Sequence, residues 1–346
     1  MAPRYDDERK EWVIDSPTVG SEKNWISQGH VADKAVVLAA TTVGGRAVGP
    51  HAFLMDLKSP GVSTGDMGVK TTGNDLDNAW ISFAKVRVPR SALLNAHCDV
   101  DEATGDYVVK TDGVAPFEMI GQRLYTGRVA VAQAALAFRA QLFDVTKAYA
   151  DAKRLPDVSR AGKDPRLSGV PQLKALFAEA DATAGVLEAF LERCEDRLAP
   201  LLKTGAVPDH ALAHAIAVAK VKAVEHSIDL CWRLKQEVGS YALMGDSGFK
   251  HLDFLNCCKF AEGDSRILMQ KMARDRLKRF AADAAAGAPA ADDEETRLAG
   301  DLAAALAPAQ GDRAKQAELW DDNYELVYAL AEQMMDRTIA EFMRDD

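Results

Sequence analysis

The 346 residues are 48% hydrophobic and 27% charged, a globular balance with room for two or three structural units. With 52 acidic against 42 basic residues the formal net charge is −10, which argues against broad nucleic-acid binding. No apolar run reaches the roughly 18 residues of a membrane-spanning helix, and the polar start from Met1 to Glu8 carries no secretory signal.

Strand signals come first along the chain. Glu11–Ile14 is short and β-prone, Ala35–Thr41 and His51–Met55 are apolar runs, and Trp80–Val86 alternates before Pro89. Gly44-Gly45, Pro60-Gly61, Gly73-Asn74-Asp75 and Thr104-Gly105-Asp106 punctuate them, a spacing that predicts an antiparallel sheet or barrel. The period then lengthens to about 3.6. Val131, Ala135, Phe138, Leu142, Val145 and Tyr149 share one helix face, as do Leu173, Phe177, Ala180, Ala184, Leu187, Leu191 and Cys194. A third helix is expected from Asp209 to Val238, and a fourth after Gly263, with Asp264 or Ser265 as its N-cap. The fold class is therefore α+β, mainly α: an antiparallel β-sheet or barrel domain followed by a four-helix bundle.

The 155–171 connection is rich in Pro, Gly and charge and reads as an exposed loop. Two terminal helices are expected over 296–307 and 312–343, with Trp320, Tyr324, Leu326, Val327 and Leu330 docking on the bundle. The domains are read as a β-domain over 1–112, a bundle over 113–282, a low-complexity linker over 283–295 and terminal helices over 296–346. Cys98, Cys194, Cys231, Cys257 and Cys258 are odd in number with no Cys-x-x-Cys pair, so free thiols are expected, Cys257 and Cys258 among them as buried apolar residues. No metal site is expected. Lys271, Arg274, Arg276, Lys278 and Arg279 form a basic cluster that reads as a solvated helix end.

Several motifs share one source. Ser16-Pro17-Thr18-Val19, followed by Lys23-Asn24-Trp25-Ile26-Ser27, resembles the β-domain of the acyl-CoA oxidase and acyl-CoA dehydrogenase superfamily. Gly65-Asp66-Met67-Gly68-Val69-Lys70, Asp77-Asn78 and Arg87-Val88-Pro89-Arg90 look like the oxidase branch. Gly127-Arg128-Val129-Ala130, Tyr149-Ala150-Asp151-Ala152-Lys153-Arg154 and Phe260-Ala261-Glu262-Gly263-Asp264-Ser265, with Ala273-Arg274 beyond, complete the likeness. The chain departs from the family in starting after its N-terminal helical domain and Thr-Glu-x-Gly/Pro loop. One wall of the acyl and flavin pocket is then expected to be missing, with weak FAD binding and poor turnover by the chain as given.

The resemblance implies an FAD oxidoreductase that converts acyl-CoA to trans-2-enoyl-CoA, with oxygen as acceptor. An acyl-CoA dehydrogenase serving a flavoprotein carrier, or a non-catalytic remnant acting in assembly, are the alternatives. It implies Glu262 as catalytic base and Arg128 as substrate-binding. It implies that Trp25, Ile26 and Ser27 lie against the flavin ring. Lys153 and Arg154 would meet the FAD pyrophosphate of a second subunit in a homodimer. Gln236, Gly239 and Ser240 would approach the phosphates, and Gly263, Asp264 and Ser265 the adenosine half. The oxidase branch implies a soluble, peroxisomal protein, although the chain ends Met343-Arg344-Asp345-Asp346 and not Ser-Lys-Leu.

Overall fold

The computed structural model describes residues 3–111, 113, 115–156, 164–287, 291 and 293–344. Residues 157–163 of the expected 155–171 loop, and 288–290 and 292 of the expected linker, lie outside them. The chain divides into two compact units, Met1–Arg123 and Leu124–Asp346.

The described residues of the first unit form ten strands: β1 (Arg4–Asp6), β2 (Glu11–Ile14), β3 (Lys23–Ser27), β4 (Lys34–Val43), β5 (Arg46–Asp56), β6 (Val62–Asp66), β7 (Asn78–Phe83), β8 (Val86–Pro89), β9 (Cys98–Val100) and β10 (Tyr107–Val109). A short helix, α1 (Pro116–Gly121), follows them. The strands form a five-stranded sheet in the order β5-β4-β1-β2-β8, a three-stranded sheet β3-β7-β6 and the ribbon β9-β10. Among the described residues no closed barrel forms, which corrects the barrel half of the expectation. Nor is every pairing antiparallel, because β1 meets β4 in parallel at Arg4 and Thr42. The expected strand Trp80–Val86 is two strands. Ala84 and Lys85 turn between them, Lys85 at φ +48°, so β7 pairs with β3 and β6 while β8 joins β2 in another sheet. In β7 the alternation buries Ala79, Ile81 and Phe83. Ile81 and Phe83 pack with Trp12, Ile14, Phe53, Met55 and Val86 in the core of this unit.

The second unit is helical: α2 (Arg123–Ala152), α3 (Pro171–Thr204), α4 (His210–Glu237), α5 (Asp253–Phe260), α6 (Ser265–Ala285), α7 (Glu294–Leu306), α8 (Arg313–Asp322) and α9 (Tyr324–Phe342). Local signals set the boundaries. Pro171 opens α3, where its missing N–H costs nothing, and Gly205 ends it at φ +70°. The Asp209, Asp264, Asp293 and Asp312 carboxylates accept from first-turn amides of α4, α6, α7 and α8. The helix expected over 312–343 breaks at Asn323, whose side-chain amide donates to the Leu319 carbonyl at 2.7 Å.

Two apolar clusters fill the bundle. One holds Ala135, Leu142, Leu173, Phe177, Leu230 and Leu234. The other holds Phe190, Ile216, Val218, Met272, Leu302, Leu330 and Met334, so the terminal helices share a core with α2, α3, α4 and α6. Polar clasps reinforce this docking. Glu295 of α7 is buried between Arg276 of α6 and Arg337 of α9, and Lys222 of α4 pairs with Glu332 and Asp336 of α9.

Candidate functional site

Glu262 lies in the four-residue link Ala261–Asp264 between α5 and α6. Its φ is +54° and that of Gly263 is +103°. Glycine adopts this region freely, whereas a glutamate there costs about 1–2 kcal/mol, so neighbours must hold it. The Arg128 Nε of α2 donates to the Glu262 carbonyl at 3.0 Å. The Lys220 Nζ of α4 donates to the Lys259 carbonyl at 2.6 Å, the Gly263 carbonyl at 2.8 Å and the Ser265 hydroxyl at 3.1 Å. Two cations from two helices thus grip the backbone on both sides of the glutamate.

The carboxylate itself rests on Gly127. A Cβ added there would stand 2.3 Å from Glu262 Cδ and Oε2, so only glycine lets the side chain lie across α2. Glu262 is half-buried, and Phe260 and Ile267, before and after it in sequence, are 61% and 60% exposed. Burial pulls the Arg128 guanidinium below its ordinary value, with Tyr125 and Glu262 opposing the shift. Burial likewise pushes Lys220 down to about 8.

Gly263 is exposed and Asp264 half-buried, with one carboxylate oxygen engaged by the α6 cap, accepting from Arg266 N at 2.8 Å. Ser265 was expected beside a cofactor but is fully buried, its hydroxyl turned inward to Lys220.

A second group lies elsewhere in the helical unit. Lys153 and Arg154 are exposed just beyond the end of α2, and Gln236, Gly239 and Ser240 are exposed at the end of α4. Tyr149 and Tyr241 stack face to face, centroids 3.9 Å apart and planes 7° from parallel. Lys153 N bonds to Tyr149 O one turn on, and Tyr241 follows Ser240, so the stack couples the basic pair to the Gly239–Ser240 turn. Gly239 sits at φ +73° with open space where a Cβ would be.

The third group belongs to the first unit. The β3–β7 register slips between Lys23 and Ile26, a bulge that puts Trp25 at φ +60°. The indole is 62% exposed. Ser27 is exposed too, whereas Ile26 packs partly against the core, so its side chain anchors the strand.

Sequence reasoning quoted Gly127 without giving it a role and passed over Lys220. The signal for Lys220 is a lysine inside the apolar run Ala215–Ala219, Val221. The expectation of no metal site rests on no histidine pair standing at His-x-x-x-His spacing, and His210 and His214, one turn apart on α4, correct that premise. Yet His214 meets the Thr338 hydroxyl at 3.1 Å, burial pushes it down to about 4, and the described residues contain no group of three ligating side chains. Cys257 is exposed, contrary to expectation, while Cys258 is buried, and both are free. The basic cluster of α6 is neutralised locally: Lys271 and Lys278 by Asp275, Arg276 by Glu295, Arg279 by Asp283, with Arg274 stacked on Trp320. No helix is long and apolar enough to cross a membrane among the described residues.

A two-unit chain with this order of sheet and bundle has known counterparts. The structure of acyl-CoA oxidase-2 from Caenorhabditis elegans, bound with FAD, ascaroside-CoA and ATP, matches 99% of this chain with a TM-score of 0.78 at 17% identity. That alignment covers 57% of the worm chain. The fold is that of the acyl-CoA oxidases and dehydrogenases. Sequence agrees. An acyl-coenzyme A oxidase of Debaryomyces hansenii is 32% identical over 168 residues, 46% of this chain and 23% of its own length. Human peroxisomal acyl-coenzyme A oxidase 1 is 23% identical over 293 residues, 80% of this chain and 43% of its own. No protein-family model matches. The chain is a homologue of acyl-CoA oxidases that spans less than half the length of these curated relatives.

Proposed function

We propose that this chain carries the proton-abstracting and flavin-facing parts of an acyl-CoA oxidase. The reaction would oxidise the Cα–Cβ bond of a fatty acyl-CoA to trans-2-enoyl-CoA. Bound FAD would supply the acceptor for the β-hydride, with oxygen as the final electron acceptor. The observation that carries this reading is Glu262, held over Gly127 with its carbonyl on Arg128. The proton alpha to a thioester carbonyl is acidic enough for a positioned carboxylate, and Glu262 Oε2 takes it in this reading. Phe260 and Ile267 offer the acyl chain an apolar surface and keep water from the base.

Each group, taken by itself, carries donors that suit part of a flavin dinucleotide. Trp25 presents an exposed indole for a flat ring and Ser27 an exposed hydroxyl beside it. Lys153 and Arg154 bring the positive charge a diphosphate requires. The open Gly239–Ser240 turn allows backbone to approach it, with Gln236 alongside. Gly263 and Asp264 remain for the adenosine half, Asp264 through the carboxylate oxygen that does not cap α6. Ser265 is left out of this set because its hydroxyl serves Lys220. A second copy of the chain, receiving Lys153 and Arg154 at its own cofactor, and a peroxisomal setting belong to the same proposal.

The test is flavin retention and product analysis. The protein, supplied with FAD and with the preceding segment of a full-length relative, is expected to form hydrogen peroxide when acyl-CoA is added. Enoyl-CoA formation only with an artificial electron carrier would place it with the dehydrogenases. A colourless protein that forms neither product would end the proposal.

A further inference from the structure

Lys220 is 0% exposed, and no carboxylate lies within hydrogen-bond distance of it among the described residues. A buried ammonium without a counter-ion is expensive, so a fold that keeps one needs its three donors. The three acceptors here are the Lys259 carbonyl near the end of α5, the Gly263 carbonyl inside the link and the Ser265 hydroxyl at the start of α6. They bracket Glu262 in sequence, and the C-terminal carbonyls of α5 favour a cation. A methionine of similar length would fill the space but leave the Gly263 carbonyl without this donor and the Lys259 carbonyl with only the Ser265 hydroxyl, 3.4 Å away.

We propose that Lys220 is a positioning residue for Glu262: its charged amine ties α5 to α6 and so fixes the turn that presents the carboxylate. This rests on the reading of Glu262 as base, although the clasp itself stands on geometry alone. Arg128 fixes the Glu262 carbonyl from α2 while Lys220 fixes its flanks from α4, so the strained φ is held by two independent helices. The charged groups that face Lys220 are Asp264 from the link, Glu225 from α4, Cys258 from α5 and Arg128 from α2. The first three favour its proton and Arg128 opposes it, while burial brings its titration down to about pH 8. Because that value lies below the ordinary 10.5, opening that exposes Lys220 to water becomes harder as pH rises between the two values, so the clasp carries a pH signature.

Hydrogen exchange of the 257–268 segment, corrected for the intrinsic rate at each pH, tests the clasp on the unmodified 346-residue protein. Exchange at the Ala261 and Leu268 amides is expected to slow by about tenfold or more from about pH 8 to about pH 10, because opening that hydrates Lys220 is penalised once the buried amine has lost its proton. Lys220→Met, which lacks the three bonds and the titrating amine, is expected to exchange faster than the parent at pH 7 and to show no pH-dependent slowing. Flat, equal profiles in both proteins overturn the proposal. So does a Glu262 carboxyl resonance, assigned by its loss in Glu262→Gln, that keeps its shift and titration in Lys220→Met. In turnover, Lys220→Met is expected to lower kcat with little change in KM. Unchanged kcat beside a loosened turn overturns the positioning role. A parent protein that oxidises no acyl-CoA even when supplied with FAD and the added segment of a full-length relative removes the base reading alone, and the exchange profiles still decide the clasp.

Discussion

At position 127 a glycine sits in the interior of a helix, where alanine would add about 1 kcal/mol of helix stability. Its cost is explained by the carboxylate above it, which leaves no room for a methyl. Because the obstructed atoms are the mobile end of Glu262, Gly127→Ala should displace the carboxylate and spare the fold. The expected outcome is a melting temperature at or above the parent's and turnover lowered roughly 10²-fold; parent-like turnover in a well-folded variant would contradict the placement. Glu262→Gln keeps the size and the hydrogen bonds but cannot accept a proton. It is expected to lower turnover by about 10² or more while FAD retention holds, which steady-state rates and flavin absorbance check together. Lys220 adds a stability signature. Its folded value of about 8 lies below the ordinary 10.5, so between them the unfolded chain holds a proton that the folded chain does not. Stability therefore rises with pH across this window, and the burial penalty is present in full below about pH 8. Urea titrations should give a steeper positive slope for the parent than for Lys220→Met, and identical slopes would refute the assignment.

Among the elements, the helices were the most legible, since a 3.6-residue apolar period survives over 20–30 residues whatever the loops do. Asp264, one of the two N-caps expected for α6, does accept from Arg266 and Ile267 amides. Replacing it by alanine should cost about 1 kcal/mol, measured by urea unfolding. The strands that sequence missed have local physical reasons. β1, β9 and β10 are three residues long, too short to alternate, and β3 carries a bulge that breaks its period at Trp25. That irregularity turns the indole outward, so the feature that hid the strand also exposes the proposed flavin contact. Trp25→Ala removes little buried area and should leave stability within about 0.5 kcal/mol, yet flavin retention should fall clearly. A variant that keeps its flavin would remove Trp25 from the cofactor site.

At the scale of the whole molecule, the motif Phe260–Ser265 made Glu262 visible in sequence because the resemblance runs through it. Its supports were not visible. Gly127 lies 135 residues earlier and Lys220 lies 42 earlier, and only the packing of α2 and α4 against the α5–α6 link gives them meaning. The order of strands followed by long helices was legible, whereas the partition of the strands into separate sheets depended on single turns such as Lys85. The helical unit also leaves large apolar side chains in the open: Leu243 at 81%, Met244 at 56%, Phe260 at 61% and Ile267 at 60% exposure. Exposed apolar residues grouped near candidate site residues mark surfaces that another part of an assembly covers. The matched acyl-CoA oxidase structure has more chain than this one spans, 57% of it being aligned. With Phe260 and Ile267 uncovered next to Glu262 in sequence, FAD retention and acyl-CoA turnover measured on residues 1–346 are expected to be low. Adding in trans the segment of a full-length relative that these residues do not span should raise flavin retention, restore some turnover and protect Phe260 and Ile267 from solvent labelling. Robust oxidation by residues 1–346 alone, or addition in trans with no effect on retention and labelling, would show that these side chains need no further cover.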